Sequence, residues 1–292
     1  MAGLGALISA KNENDTKWRQ QRENDRKMAD EVRDAGVVSV LQSPDLYKQY
    51  LMLQGDNPQY SAGNIVLCQF QLSAPSIIGT EDKWRQEGRR VLETERENGA
   101  KIFVRPKNRN ISGYTLASAY DISQTSGRDI ERPKIYPNTE QMEKAVAALL
   151  NFSNVPIVAD DSLKDIPALY DENTIKLYVN PNVEFDEAFP ILATEIQLAR
   201  QHNKGYNRNF DRSMCYLAAD SVSYMICRRY GLERDLPDTT NIGKIYGGAT
   251  VSQATDTLNY LQNEAKYIGG SIEQQIAPPQ RAQSHIPVRP RR

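Results

Sequence analysis

Two successive helical patterns in the second half of the chain constrain its fold more than any other feature. Residues 191–206, ILATEIQLARQHNKGY, carry an apolar rhythm suited to a buried helix with a single glutamate, Glu195, in the middle. The next pattern, RSMCYLAADSVSYMICRRYG at 212–231, sets Met214, Leu217, Ala218, Ser221, Val222 and Met225 at i, i+3, i+4 spacing and ends on Gly231. Immediately upstream, ALYDENTIKLYVNP at 168–181 reads as a β-hairpin turning at 171–173. A hairpin leading into two amphipathic helices implies α+β.

The first half has a different character. Residues 11–34 are almost wholly polar with mixed charge, which predicts a solvated helical arm over 1–42. Two short helices follow, SPDLYKQYLML and NPQYSAGNIVLCQFQL, with Ser43 and Asn57 as expected caps and Pro44 and Pro58 at the first helical positions. Thr80 is placed to cap one helical turn carrying Trp84. AKIFVRP then alternates, with Lys101, Phe103 and Arg105 on one face and Ile102 and Val104 on the other, and GYTLASAYDI supplies a second strand. A small antiparallel sheet within 43–130 is therefore expected, followed by a linker near 126–139. A mostly helical unit over 131–267 comes next, opened by a helix capped at Thr139, and a Pro/Arg-rich tail from 268 to 292 is expected to be disordered.

Composition narrows the function classes. Lys+Arg at 36 against Asp+Glu at 37 gives a formal charge of -1, so a nucleic-acid footprint has to be local. Three cysteines without a C-x-x-C pair favour a reducing compartment, and no apolar run approaches the roughly 20 residues that span a bilayer, so a cytoplasmic protein with no membrane partner is expected. No Walker loop, G-x-G-x-x-G or G-x-S-x-G motif is present, and no cofactor is expected.

Local chemistry concentrates in two places. Lys83, Arg85, Arg89, Arg90, Lys101, Arg105 and Lys107, with Trp84 and Phe103, combine cations for phosphates with aromatic faces for bases, as non-specific single-strand binding requires. Glu93, Glu95 and Glu97 weaken that field. Trp84 has two readings, a stacking face or a core side chain. Tyr60 and Asn64, read as i, i+4 on one helix, are either a base-contacting pair or packing and a surface amide.

The segments YSAGN, DKWRQEGRRV, AKIFVRP and YDISQT, in that order, resemble the N-terminal domain of the ArdC antirestriction family, which includes LtrC-type proteins of conjugative elements. The resemblance implies a single-stranded DNA-binding module followed by a zincin-like peptidase domain. The second half is similar to a zincin in its order of hairpin, glutamate-bearing helix and further helix. The H-E-x-x-H helix of such domains works because positions i and i+4 share one face and both imidazoles reach one zinc. In this chain those positions are Thr194 and Leu198, beside Glu195, and Asp220 is the nearest match to a third ligand. Leucine cannot ligate and threonine is a poor zinc ligand, so a degenerate, metal-free, non-enzymatic domain is expected. His202 lies seven residues beyond Glu195, about 10 Å along the helix, too far to close on the same ion. Restoring histidine at 194 and 198 is expected to create a metal site. The functional expectation is single-stranded DNA binding for a mobile element, in antirestriction or protection of transferred DNA. The alternative is a phage- or element-encoded inhibitor or adaptor that binds a protein partner and no DNA.

Overall fold

Helix α1 (Leu4–Gln42) runs unbroken through the expected arm. The structure, a computed structural model, describes residues 3–107 and 112–277. From Ile8 to Met28 nearly every α1 side chain faces solvent, and local pairs such as Gln21–Asp25 (2.7 Å) support the helix. From Ala29 onward the arm becomes core, burying Ala29, Val37, Val40 and Leu41. Only its first part is a solvated arm.

Ser43 ends α1 and caps α2 (Pro44–Asp56), its hydroxyl accepting the Leu46 N–H at 3.4 Å. Helix α3 (Ala62–Gln71) begins later than expected, with Ser61 as its cap. Asn57 does other work. Its amide donates to the carbonyls of Leu53 (2.8 Å) and Ser76 (2.6 Å) and accepts the Ile78 N–H (2.8 Å), which closes α2 and fixes the chain that follows.

Strand β1 (Ile78–Thr80) leads into α4 (Glu81–Gln86), capped by Thr80 as expected, and then β2 (Arg89–Val91), β3 (Ala100–Val104), β4 (Thr115–Asp121) and β5 (Thr125–Gly127). The sheet order is β1-β4-β3, antiparallel, with Lys101 opposite Ser118 and Phe103 opposite Leu116, and β2 pairs separately with β5. The expected alternation holds at Lys101, exposed, and Ile102, fully buried, and fades at Phe103 and Val104, which are both half-buried.

After an irregular stretch come α5 (Glu140–Leu150), β6 (Ile157–Ala159), β7 (Ala168–Asp171) and β8 (Lys176–Val179), a mixed sheet of order β6-β8-β7 that contains the expected hairpin. Helices α6 (Phe185–His202) and α7 (Arg212–Arg229) pack on each other, and Gly231 at φ 66 turns the chain after α7. A short α8 (Ile242–Tyr246) precedes α9 (Val251–Ile276), which opens on a Thr250/Gln253 capping box. The expected start of the tail at 268 is incorrect, because α9 continues to Ile276 and buries Ile268 and Ile272 completely. Residues 278–292 of that tail lie outside the described residues. The chain is α+β, and α9 packs on α1, α5 and α7 so that both halves contribute to one apolar core.

On two edge strands, β3 and β7, side chains cover exposed backbone groups. On β3, Asn64 accepts the Phe103 N–H (2.9 Å) and donates to its carbonyl (2.8 Å), and Gln71 treats Lys101 the same way (2.9 and 3.2 Å). On β7, Glu195 accepts the Tyr170 N–H (2.8 Å) and Arg212 donates to its carbonyl (3.0 Å). These contacts satisfy backbone groups that no neighbouring strand reaches.

Candidate functional site

The structure divides the expected nucleic-acid residues into structural and exposed sets. Trp84 is 0% exposed, and its Nε1 donates to the Tyr120 carbonyl at 3.1 Å, so it is a core side chain and has no face for a base. Arg89 is buried and donates to the Thr125 hydroxyl (2.8 Å) and the Arg128 carbonyl (2.5 Å), stapling β2 to β5. Asn64 is the β3 edge cap described above. Tyr60 precedes α3, so the i, i+4 pairing with Asn64 does not form, and burial pushes its phenol up to about 12. These four residues leave the interface for the same reason: backbone groups or apolar neighbours already saturate their chemistry.

Around α4, cations and acids largely cancel. Lys83 pairs with Glu87 (3.3 Å), Arg85 with Asp82 (3.4 Å) and Lys107 with Asp82 (2.5 Å). Glu93 pairs with Arg96 (2.6 Å), while Glu95 accepts from Gln124 (3.0 Å). Glu95 and Glu97 line a depression that shares no lining residue with the groove described next. Arg90 and Arg105 are exposed.

Lys101 does come together with other groups, on a groove that includes α1, and Phe103 lies beside it under Arg26. This groove, about 390 Å³, runs between α1 and β4 and is lined by Arg22, Arg26, Lys101, Tyr114, Thr115 and Ser118, with Glu23 and Asp25 also contributing. Arg22 donates to the Thr115 hydroxyl (2.6 Å), Arg26 to the Tyr114 carbonyl (3.1 Å) and Lys101 to the Ser118 hydroxyl (3.0 Å). The guanidinium groups of Arg26 and Arg33 approach the half-buried Phe103 ring to 5.8 and 5.4 Å, and Arg22 lies 4.7 Å from the Trp18 ring. Tyr114 is 52% exposed and Trp18 59%. The sequence carried a signal for these missed residues: Trp18, Arg22, Arg26 and Arg33 recur at steps of four, four and seven, one stripe of a helix.

Asn64→Ala separates the two readings of that amide. It is expected to cost about 1–3 kcal/mol by stranding both backbone groups of Phe103. Urea unfolding checks this, and an unchanged midpoint with weakened nucleic-acid binding would restore the base-contact reading.

The second candidate centre lies between α6 and α7. The Glu195 side chain is 6% exposed, and its two oxygens accept from the Tyr170 N–H (2.8 Å) and from Arg212 (2.6 Å). Thr194 donates to the Pro190 carbonyl (3.2 Å) and accepts from Arg234 Nη2 (2.9 Å). The same Nη2 is bonded to Asp220. Leu198 is fully buried. His202 is held apart from Glu195, with its Nδ1 2.6 Å from the Tyr170 hydroxyl and its ring stacked on Phe210 (centroids 4.5 Å). Among the described residues, no three His, Cys, Asp or Glu side chains group as metal ligands. Burial pushes the Cys227 thiol up to about 11 and the Cys68 thiol up to about 12, which leaves both poor nucleophiles.

Comparison with solved structures gives the Mn(II)-bound crystal structure of the antirestriction protein ArdC from plasmid R388, at TM-score 0.50 and 16% identity over 86% of this chain and 99% of that one. The chain has an ArdC-like fold. The metal-free structure of the same plasmid protein matches at TM-score 0.44 and 13% identity, over 74% and 85% of the respective chains. No protein-family model and no curated protein matches the sequence. A match over 86% of this chain takes in parts of both halves. Among the described residues, no helix is long and apolar enough to cross a membrane.

Proposed function

We propose that this chain binds single-stranded DNA without sequence preference along the groove between α1 and β4, in an antirestriction or DNA-protecting role. One observation carries the reading: Arg22, Arg26 and Lys101 line one channel with the exposed Tyr114 ring, and Phe103 sits at its side. Cations gathered along one groove contact phosphates, and aromatic faces accept bases of any identity. The antirestriction role draws on the ArdC-like fold, and a cytoplasmic site of action on the free thiols.

In this reading the second half has no peptidase activity. The residues present do not fit a divalent ion. Leu198 offers no donor, the Thr194 hydroxyl and both Glu195 oxygens are engaged within the protein, and Asp220 is paired with Arg234. A metal that must displace these partners with so few donors gains too little.

Fluorescence anisotropy with a labelled oligothymidylate, titrated with salt, tests the proposal. Affinity is expected to fall steeply with salt, with a log–log slope of about −0.7 per phosphate contacted. Lys101→Ala and Arg26→Ala are each expected to reduce that slope, and Tyr114→Ala to weaken binding by about 1–3 kcal/mol. No binding at about 50 mM salt would sink the reading and favour the protein-partner alternative.

A further inference from the structure

The ion pairs between α6 and α7 point to something beyond a lost metal site. Chain geometry first accounts for how Arg234 gets there. From Asp220 to Arg229, α7 rises about 13 Å at about 1.5 Å per residue. Gly231, in the left-handed region, reverses the chain, and the irregular segment that follows runs back along the helix. The three residues 232–234, roughly extended, recover about 10 Å, and the long arginine side chain covers the rest of the way to Asp220. Its guanidinium is then 11% exposed, against a carboxylate that is 13% exposed.

We propose that Arg234 is a built-in replacement for a metal ion. A single nitrogen, Nη2, contacts Thr194 of α6 and Asp220 of α7, so the first and third positions of the zincin register converge on a side-chain cation of the chain itself. Arg212 does the same for the remaining carboxylate, Glu195, at 2.6 Å. Both acids of the centre are therefore neutralised from within. The guanidinium bridges the two helices, and on this account the site excludes divalent cations even when ligands are supplied. On this account two histidines do not suffice to build a metal site. Arg234 has to be removed as well.

This inference rests on the zincin register and not on nucleic-acid binding, so a failed DNA titration leaves it standing. The test compares zinc uptake, by metal analysis after dialysis, in the full-length protein and two variants whose folding is checked by circular dichroism. The wild type and the variant Thr194→His/Leu198→His are expected to retain no stoichiometric zinc. Adding Arg234→Ala to that pair is expected to give one equivalent, bound about ten-fold or more tighter than in the double variant. Equal uptake with and without Arg234, a folded triple variant that takes up none, or one equivalent in the wild type would each overturn the proposal. If the triple variant fails to fold, the pair Arg234→Met and Asp220→Asn decides. The drop in melting temperature caused by Arg234→Met is expected to be largely absent in the Asp220→Asn background, and an equal drop in both would overturn the proposal.

Discussion

Replacing Trp84 by alanine is expected to lower unfolding stability by about 3–5 kcal/mol, with no separate effect on the proposed DNA binding in the protein that remains folded. The indole is 0% exposed and forms a small cluster with Val91 and Tyr120, flanked by Ile77, Ile122 and Ile130. It lies so close to the backbone that a methyl group on Gly79 would meet it at 2.7 Å, so no other residue fits at 79 without displacing the ring. Its N–H satisfies the Tyr120 carbonyl in the middle of the region. Truncation leaves both a cavity and an orphaned acceptor. The cluster is distinct from the main core, so local opening of α4 and the β2–β5 pair is expected to precede global unfolding. Urea melts with hydrogen exchange over residues 78–127 check this. A Trp84→Ala protein with an unchanged midpoint and weakened DNA binding would return the ring to the surface.

Asp56→Ala is expected to cost about 3 kcal/mol, the lower end of the range for breaking a buried ion pair. The carboxylate, 2% exposed at the end of α2, bonds Arg132 at 2.6 Å and Arg228 at 2.8 Å, so one acid joins α2, the irregular stretch before α5 and the end of α7. Removing it leaves two cations facing each other. Each retains about a third of its exposure, which lets water recover part of the loss. Asp56→Asn, which keeps the shape and one acceptor, is expected to cost less. If Asp56→Ala and Asp56→Asn melt together with the wild type, the arginines are solvated and the junction is held by apolar packing alone.

Much of the local structure was legible because its causes are local. Ser43 before Pro44, Thr80 before Glu81, Thr139 before Glu140, the turn between β7 and β8 and the Gly231 stop all act within one turn of chain, and each appears where the residues predict it. Helix α9 crosses the boundary expected at 267, with Ala254, Leu258, Leu261, Ala265, Ile268 and Ile272 at helical spacing behind a capping box. The glycine pair at 269–270 and the polar residues after it obscured that period. The sites were less legible because they depend on distant residues. Arg22 and Arg26 lie more than 70 residues from Lys101 in sequence, and Arg234 meets Thr194 across 40. The basic residues near Trp84 were visible, but not that Arg89 would turn inward to bond the carbonyls around β5.

The side-chain covers on the edge strands bear on what the protein can accept as a partner. A peptide recruited by strand addition needs a row of free N–H and C=O groups. On β3 those of Lys101 and Phe103 are held by Gln71 and Asn64, and on β7 those of Tyr170 by Glu195 and Arg212. An unfolded polypeptide finds no template at either edge. Strand β7 is closed to strand addition at Tyr170 by Glu195 and Arg212, and the covers that block a peptide at β3 and β7 also disfavour edge-to-edge pairing of two copies there.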